Sequence, residues 1–260
     1  MAIIGISGYS NSGKDTVGLI IQYLIANASN PKNPIAVPIE KIAENPSEYQ
    51  EVLEDSSGWE IRKFASKLKD IASHLTGIDS EDFEDQEFKK TNLPREWWTT
   101  CDEGHQPMTV RDFLQKLGTD ALRNGLHPNV WVNALMADYK QEVNLSTFRY
   151  AKGYKDDRHF IAGAEDNKFS MGELIEYFEE VPFPNWIITD VRFPNEAQAI
   201  KDKKGIIIRI DRPFVKAINN HPSETGLDDW NFDYKVANVS DILSLSFTIK
   251  GILQHKKFIK

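Results

Sequence analysis

Residues 2–16 read AIIGISGYSNSGKDT and join an apolar run to a glycine-rich loop. The apolar run predicts a buried strand that ends at Gly8. A helix is predicted directly after the loop, because apolar residues recur there at spacings of three and four. These residues are Val17, Ile20, Ile21 and Leu24. The stretch therefore predicts a strand, a tight glycine-rich turn and a helix in immediate succession.

The last third of the sequence alternates between strand patterns and helix patterns. In chain order these are a strand at 186–189, a helix at 195–203, strands at 206–210 and 234–237, and a helix at 241–253. The runs 2–7 and 60–64 bring the predicted strands to five. Strands that alternate with helices predict a parallel sheet covered on both faces. We therefore expect an α/β fold, with a five-stranded parallel sheet flanked by helices and interrupted by insertions.

The remaining stretches predict insertions within a single domain spanning residues 1–260. Four prolines interrupt residues 28–57, so an irregular insertion with one helical turn is expected there. Residues 78–107 are acidic and then mixed in charge, which predicts an exposed, mobile lid or acceptor-side region. The polar residues 149–169 predict a surface insertion. A helix-start pattern at Ser170 then predicts a short helix.

Composition argues against several classes of protein. The formal net charge of −8 disfavours a dedicated nucleic-acid binder, which usually needs a basic face. Cys101 is the single cysteine, so neither an intrachain disulfide nor a multi-cysteine metal site can form. No run approaches the roughly 18 apolar residues that a membrane span needs. The stretch Met1–Tyr9 lacks the basic region of a signal peptide. We expect a cytoplasmic protein with no nucleic-acid or membrane partner.

The loop from Gly8 to Lys14 has the pattern G-x-x-x-x-G-K between a predicted strand and a predicted helix. Glycines allow the backbone to wrap closely around phosphate oxygens, and the helix start adds the positive end of its dipole. Lys14 supplies a compact cation for the β and γ phosphates of a nucleotide. The pattern therefore predicts phosphate binding. A tight strand–helix turn with an incidental lysine is the alternative.

The position after the lysine departs from the usual pattern, because Asp15 stands where a serine or threonine ordinarily ligates Mg²⁺. Either Thr16 takes over as the hydroxyl ligand, or Asp15 reaches the metal directly or through water. Asp190 and Arg192 follow a predicted strand, at the sheet edge where ligands gather in open α/β folds. Asp190 could hold Mg²⁺ and Arg192 could neutralise phosphate charge. A surface salt bridge is the alternative for this pair.

Further polar side chains are candidates for a second ligand site. Arg111 lies in the first turn of a helix that Thr109 is expected to cap, and Gln115 lies one turn later on the same side. That helix is expected to end at Gly118, and a second one to start at Gly118–Asp120. Lys69 lies on the polar side of its helix. The alternatives are solvated side chains and a simple cap.

Trp131 continues an apolar helical pattern, so it is either a core residue or a side chain that faces a ligand. His221-Pro222-Ser223-Glu224 is either a turn with a capping serine or a nucleotide-contacting loop.

Together, these stretches resemble the deoxynucleoside monophosphate kinases of bacteriophages, within the nucleoside monophosphate kinase-like P-loop superfamily. The matching stretches are 7–16, 63–70, 111–115, 117–120, 131–132, 189–192, Glu196 and 221–224. The resemblance spans nearly the whole chain but leaves 28–57 and 149–169 unmatched. The G-K-D-T form of the loop is typical of that family, whereas the loop alone is specific only for phosphate binding.

The resemblance implies the P-loop NTP hydrolase fold and γ-phosphoryl transfer from Mg-ATP to a deoxynucleoside 5′-monophosphate. The implied ATP-binding residues are Ser12, Gly13, Lys14, Asp15 and Thr16. The implied acceptor-binding residues are Lys69, Arg111, Gln115, Gly118, Thr119, Trp131 and Arg192. Lys14, Arg111, Arg192 and Asp190 are assigned to catalysis, and Asp15, Thr16 and Asp190 to Mg²⁺.

Other functions stay open at this point. The phosphomevalonate kinases of animals share a G-K-D loop, so a kinase for another small phosphorylated acceptor is one alternative. A P-loop ATPase or nucleotide sensor is the other. A homodimer is also compatible with the sequence, and a viral protein of this kind would act in the host cytoplasm.

Overall fold

The structure is a computed structural model that describes residues 2–101, 104–141, 143–150, 173–180, 182–213, 215 and 225–260 of the 260-residue chain. The described residues form two compact units. The smaller unit lies within Tyr139–Pro184, and the larger one comprises Ala2–Asp138 and Asn185–Lys260.

The strands and helices are numbered along the described chain. The strands are β1 Ile3–Ser7, β2 Trp59–Arg62, β3 Thr99–Cys101, β4 Gly104–Gln106, β5 Val143–Tyr150, β6 Glu173–Glu180, β7 Asn185–Val191, β8 Ile206–Asp211 and β9 Tyr234–Ala237. The α-helices are α1 Lys14–Ser29, α2 Ile39–Glu44, α3 Pro46–Ser57, α4 Ser66–Thr76, α5 Val110–Gln115, α6 Val130–Met136, α7 Pro194–Asp202 and α8 Ile242–His255. Short 3₁₀ helices cover Asp82–Glu84, Phe88–Lys90 and Arg95–Trp97, and a π-helix covers Lys116–Asn124.

The larger unit is built on a five-stranded sheet in the order β2-β7-β1-β8-β9. All of its strand pairs are parallel, which confirms the predicted sheet. Side chains of β1 alternate between its two faces. Ile4 and Ile6 join a core cluster with residues of α1 and α8, whereas Gly5 lies against Ile200 of α7. Helices therefore cover both faces of the sheet.

The prediction of an irregular insertion at 28–57 is wrong for most of its length, because this stretch contains α2 and α3. Ile42 and Leu53 are fully buried in the main core. The prolines explain the error. Pro38 lies immediately before α2, and Pro46 is the first residue of α3, a position that proline favours because no backbone N–H is needed there.

The excursion at 78–107 is not wholly exposed. Phe83 and Leu93 are buried and form a second apolar cluster with Ala72, Val110 and Phe113. Beyond them, β3 and β4 pair as an antiparallel hairpin. The expectation of an exposed stretch is therefore wrong for these two side chains, while its mobility stays a prediction.

The smaller unit contains an antiparallel hairpin of β5 and β6, in which Val143 pairs with Glu180 and Tyr150 with Glu173. The prediction of a short helix after Ser170 is wrong, because residues 173–180 form a strand. Their sequence, ELIEYFEE, is rich in β-favouring isoleucine, tyrosine and phenylalanine. Most of the predicted insertion at 149–169 lies outside the described residues.

Within the described parts of the chain, none of the helices has the length and apolar character that crossing a membrane would require.

Candidate active site

The glycine-rich loop leaves the carboxyl end of β1 and enters α1 at Lys14. Two of its residues take left-handed backbone conformations, Asn11 with φ 61° and Gly13 with φ 97°. A Cβ atom at Gly13 would lie 2.7 Å from the Nδ2 atom of Asn238. The backbone conformation therefore favours glycine at this position, and a Cβ atom there would displace the Asn238 amide.

Asn238, directly after β9, is hydrogen-bonded to this loop. Its side-chain amide donates to the Ser12 carbonyl oxygen at 3.0 Å, and its backbone N–H donates to the Asp211 carbonyl at 2.7 Å. Sequence reasoning missed Asn238, because its only signal is a polar residue at the end of a predicted strand. The Ser12 hydroxyl is buried and has no hydrogen-bond partner among the described residues.

The Lys14 side chain folds back over the glycine-rich loop. Its ammonium group donates to the carbonyl oxygens of Gly8 at 2.8 Å and of Tyr9 at 2.6 Å. The side chain is mostly buried. The cation is thus held at the start of α1, where the helix dipole adds further positive potential.

Asp15 is bound to two neighbouring elements through one oxygen. The Thr189 hydroxyl donates to its Oδ1 atom at 2.8 Å, and the Lys63 ammonium lies 3.2 Å from the same atom. The Asp15 side chain is 68% exposed. Partial desolvation in the cleft favours the neutral acid, but Lys63, Thr189 and Lys14 outweigh it and hold the pKa of Asp15 below its ordinary value. Asp15 is therefore a carboxylate, and its Oδ2 atom is the oxygen with which it could reach a metal.

Asp190, at the carboxyl end of β7, is nearly fully buried. Its two oxygens accept the backbone N–H groups of Phe64 at 2.8 Å and Ala65 at 2.9 Å. Burial raises the pKa of Asp190, although these bonds and the Arg192 and Lys63 charges oppose the shift. Asp190 thus ties the β2–α4 junction to the end of β7, and its assignment to Mg²⁺ stays a prediction.

The donor groups near Lys14 fit a magnesium ion bound mainly through its nucleotide. Asp15 and Thr16 both line the cleft next to the loop. The described residues contain no group of three or more histidine, cysteine, aspartate or glutamate side chains placed to hold a metal. Mg²⁺ in kinase sites is usually held by one or two protein ligands together with phosphate oxygens and water. The residues present therefore fit such an ion, and the assignment of Asp15 and Thr16 to it stays a prediction.

A second set of cations lines the same cleft. Lys69 forms an ion pair with Glu84, and Arg111 donates to the Gln86 side-chain oxygen at 3.1 Å. Lys89 donates to the Glu84 carbonyl at 3.3 Å. Burial, followed by the charge of Lys69, lowers the pKa of Lys89 to about 8, and Glu84 only partly offsets this. Sequence reasoning placed Lys89 in the excursion without a role.

The helical stretch that contains Arg111 does not end at Gly118 as expected, and no second helix starts there. Thr109 caps α5 with Asp112 as predicted, but the chain then continues as the π-helix through Asn124. The indole N–H of Trp131 donates to the Gly118 carbonyl oxygen at 2.9 Å. Trp131 is 5% exposed and also lines the cleft. It is therefore buried like a core residue and also lies where a ligand would contact it.

Glu196, in the first turn of α7, organises the loop that carries Arg192. It accepts the backbone N–H groups of Arg192 at 2.8 Å and Phe193 at 3.1 Å, and it pairs with Arg123 at 2.7 Å. Burial and the nearby Asp190 raise the pKa of Glu196 to about 7, against the opposing effect of Arg123. The Arg123 guanidinium also lies 3.7 Å from the Phe193 ring centre.

These groups line a single cleft of about 510 Å³ in the larger unit. It brings together the predicted site residues Gly13, Lys14, Asp15, Thr16, Lys69, Arg111, Gln115, Gly118, Thr119, Trp131, Asp190 and Arg192. Ser12 is buried within the loop and does not line the cleft. The cleft also contains Lys63, Lys89, Arg123 and Glu196, to which sequence reasoning gave no role. The stretch 221–224 lies outside the described residues.

Comparison with known proteins identifies the family. No protein-family model matches the chain. A relative from Acanthamoeba polyphaga mimivirus, named "Putative deoxynucleotide monophosphate kinase", is 30% identical over 174 residues. The match covers 66% of this chain and 71% of the viral protein. The resemblance drawn from the motifs is thereby confirmed. The chain belongs to the deoxynucleotide monophosphate kinase family, and its parallel sheet flanked by helices is a P-loop kinase fold.

Proposed function

We propose that the protein transfers the γ-phosphoryl group of ATP to a deoxynucleoside 5′-monophosphate. An oxygen of the acceptor phosphate attacks the γ-phosphorus, and the bond from that phosphorus to the β,γ-bridging oxygen breaks. The products are ADP, which keeps the bridging oxygen, and a deoxynucleoside diphosphate. The mimivirus relative carries the name of such a kinase. No covalent enzyme intermediate is needed.

The observation that carries this proposal is the presence of two separate cationic groups in one cleft. Lys14 ends the glycine-rich loop, whereas Lys69, Arg111 and Arg192 line the same cleft as a group around Lys89. The cleft is lined by eight lysine and arginine side chains but only four carboxylates, in a chain of net charge −8. Two phosphorylated ligands repel each other strongly, and this excess of cations suits their approach.

The proposed roles follow from position. Ser12–Thr16 bind the phosphates of ATP, with Lys14 on the β and γ phosphates and Mg²⁺ held by Asp15 or Thr16. The guanidinium groups of Arg111 and Arg192 can each pair with two phosphate oxygens at once. The remaining acceptor contacts are assigned to Lys69, Gln115, Gly118, Thr119 and Trp131. Catalysis then consists of positioning and charge neutralisation.

A coupled assay of ADP release tests this function. We expect ADP release with Mg-ATP and one or more deoxynucleoside monophosphates, and only a low rate without an acceptor. Release without any acceptor would identify an ATPase instead. Release with only a different phosphorylated acceptor, such as phosphomevalonate, would identify another kinase.

Lys14→Ala supplies the negative control for that assay. The side chain donates to two loop carbonyls, and it belongs to the loop rather than to the sheet core, so we expect the fold to survive. Transfer should fall by about three powers of ten, as expected when a key phosphate cation is lost. Near-normal turnover of a folded variant, checked by circular dichroism, would remove the loop from the mechanism.

A further inference from the structure

Lys63 lies at the boundary between the Asp15 end of the cleft and its Glu84–Lys69 end. It follows β2 directly, where the next two backbone N–H groups, those of Phe64 and Ala65, are fixed by the buried Asp190 carboxylate. The position of its backbone is therefore set by the end of β7. The side chain is 27% exposed and lines the cleft.

The Lys63 ammonium contacts groups on both sides of this boundary. It lies 3.2 Å from Oδ1 of Asp15, the residue after the loop lysine. It also lies 3.7 Å from Oε2 of Glu84, whose other oxygen pairs with Lys69. An ion-pair chain thus runs from Asp15 through Lys63 and Glu84 to Lys69. Its second member lies between the proposed ATP-binding residues and the proposed acceptor-binding residues.

We propose that Lys63 is a further catalytic residue, which contacts the phosphoryl group as it passes from ATP to the acceptor. The inference rests on the proposed phosphoryl transfer. The acceptor oxygen forms a bond to the γ-phosphorus while the bond to the bridging oxygen breaks, so negative charge spreads over the three equatorial oxygens between the two ligands. The Lys63 ammonium lies between Asp15 and Glu84, and therefore between the two proposed ligand sites, where this charge develops.

This position gives Lys63 a different signature from that of Lys14 or Lys69. Interactions that strengthen only in the transition state raise kcat without tightening the binding of either substrate. Removing Lys63 should therefore slow transfer at saturating substrates while ATP and acceptor bind almost as before. A purely structural ion pair would instead affect the thermal midpoint of unfolding and leave the transfer rate unchanged.

The test compares Lys63→Met and Lys63→Arg with the wild-type protein in single-turnover transfer, together with calorimetric binding of a non-hydrolysable ATP analogue and of the acceptor. We expect Lys63→Met to lose roughly 100-fold in transfer rate, with both dissociation constants within about threefold, and Lys63→Arg to recover part of the rate. Lys67→Met is the matched control, because Lys67 pairs with Asp138 and does not line this cleft. It should transfer normally.

Transfer by Lys63→Met within about threefold of wild type would overturn the proposal, as would a loss confined to substrate binding. If Lys63→Met does not fold, Glu84→Gln is added, because the Glu84 carboxylate loses its Lys63 partner in that variant. A folded double variant with a normal transfer rate also overturns the proposal, and one with the lowered rate supports it. Failure of the wild-type protein to phosphorylate any acceptor overturns the proposed function itself, which separates the two failures.

Discussion

Like charges lie close together along one wall of the cleft. Burial lowers the pKa of Lys89 to about 8, and the charges of Lys69, Arg111 and Arg192 act in the same direction. Such crowding costs free energy unless a negative group offsets it, and Glu84 does so only in part. Perturbed pKa values of this kind are concentrated at functional sites. Lys89 therefore belongs with the proposed acceptor residues, although no motif in the sequence marks it.

The lowered pKa of Lys89 predicts a pH dependence. The ammonium group is charged below about pH 8 and loses its proton above it. Because kcat/KM reports ionisations of the free enzyme, kcat/KM for the acceptor should fall as pH rises through that value. Lys89→Arg should keep kcat/KM high up to about pH 9.5, since a guanidinium group stays charged there.

Lys90→Arg is the control for this measurement, because Lys90 is exposed and pairs with Glu87 outside the cleft. It should leave the alkaline decline in place. The same decline in Lys89→Arg would show that a different group titrates.

Arg111 and Arg192 are expected to act on the acceptor rather than on ATP. Removing either should cost about 2–5 kcal/mol of transition-state stabilisation, as for loss of one member of a buried charge pair. ATP affinity should change little, because the glycine-rich loop is untouched. The measurement is ATP affinity together with acceptor kcat/KM for Arg111→Ala and Arg192→Ala.

Arg62→Ala serves as the control, since Arg62 is exposed and pairs with Glu60 away from the cleft. Normal acceptor kinetics in both variants would contradict the assignment.

At the scale of helices and strands, the sheet was predictable and several helices were not. The isoleucine-rich runs of β1, β7 and β8 are typical of strands buried on both faces of a parallel sheet. In the structure nearly all of their residues are buried. Gly118 was misinterpreted as a helix end. In the structure it lies within the π-helix, where a Cβ atom would come within 2.8 Å of Leu68. The glycine therefore reflects close packing, which a one-dimensional pattern does not distinguish from a stop signal.

The candidate site was predictable where a motif is local. The loop residues are consecutive, and Arg111 and Gln115 are separated by one helical turn. Asn238 and Lys63 were missed because their roles depend on partners distant in sequence. Asn238 lies 226 residues from Ser12, and Lys63 meets Asp15 and Glu84 only after the sheet and the excursion have formed.

Two glycines inside helices should respond oppositely to the same substitution. A Cβ atom at Gly18 of α1 would lie 2.8 Å from Thr189 and 3.3 Å from Ile61, whereas no described atom lies within 4 Å of a Cβ at Gly251 of α8. Gly251→Ala should raise the free energy of unfolding by about 0.5–1 kcal/mol through helix propensity. Gly18→Ala should lower it by about 1–3 kcal/mol, because α1 would have to move away from β7.

Urea denaturation of both variants provides the measurement. Stabilisation by both substitutions would mean that α1 does not pack on the sheet as closely as the structure indicates.

At the scale of the whole molecule, every described residue that lines the cleft belongs to the larger unit. Among the residues that the structure describes, the smaller unit contributes none of them. We therefore expect a variant whose residues 142–181 are replaced by a Gly/Ser linker to fold, to bind ATP and to transfer phosphate. Thermal unfolding and the ADP-release assay test this.

A second variant, with a Gly/Ser segment of the native length, separates the effect of chain length from that of the hairpin. Loss of ATP binding in both folded variants would contradict the expected independence of the larger unit.

The two outer strands of the sheet have a consequence for behaviour at high protein concentration. β2 and β9 have four residues each, fewer than any strand between them, and both contain charged side chains, Glu60 and Arg62 in β2 and Lys235 in β9. Short, charged edges offer few backbone groups for pairing with a second chain and penalise its approach. The sheet is therefore a poor template for aggregation through added strands. We expect the protein to stay dispersed in concentrated solution, where the sheet edges of different molecules meet.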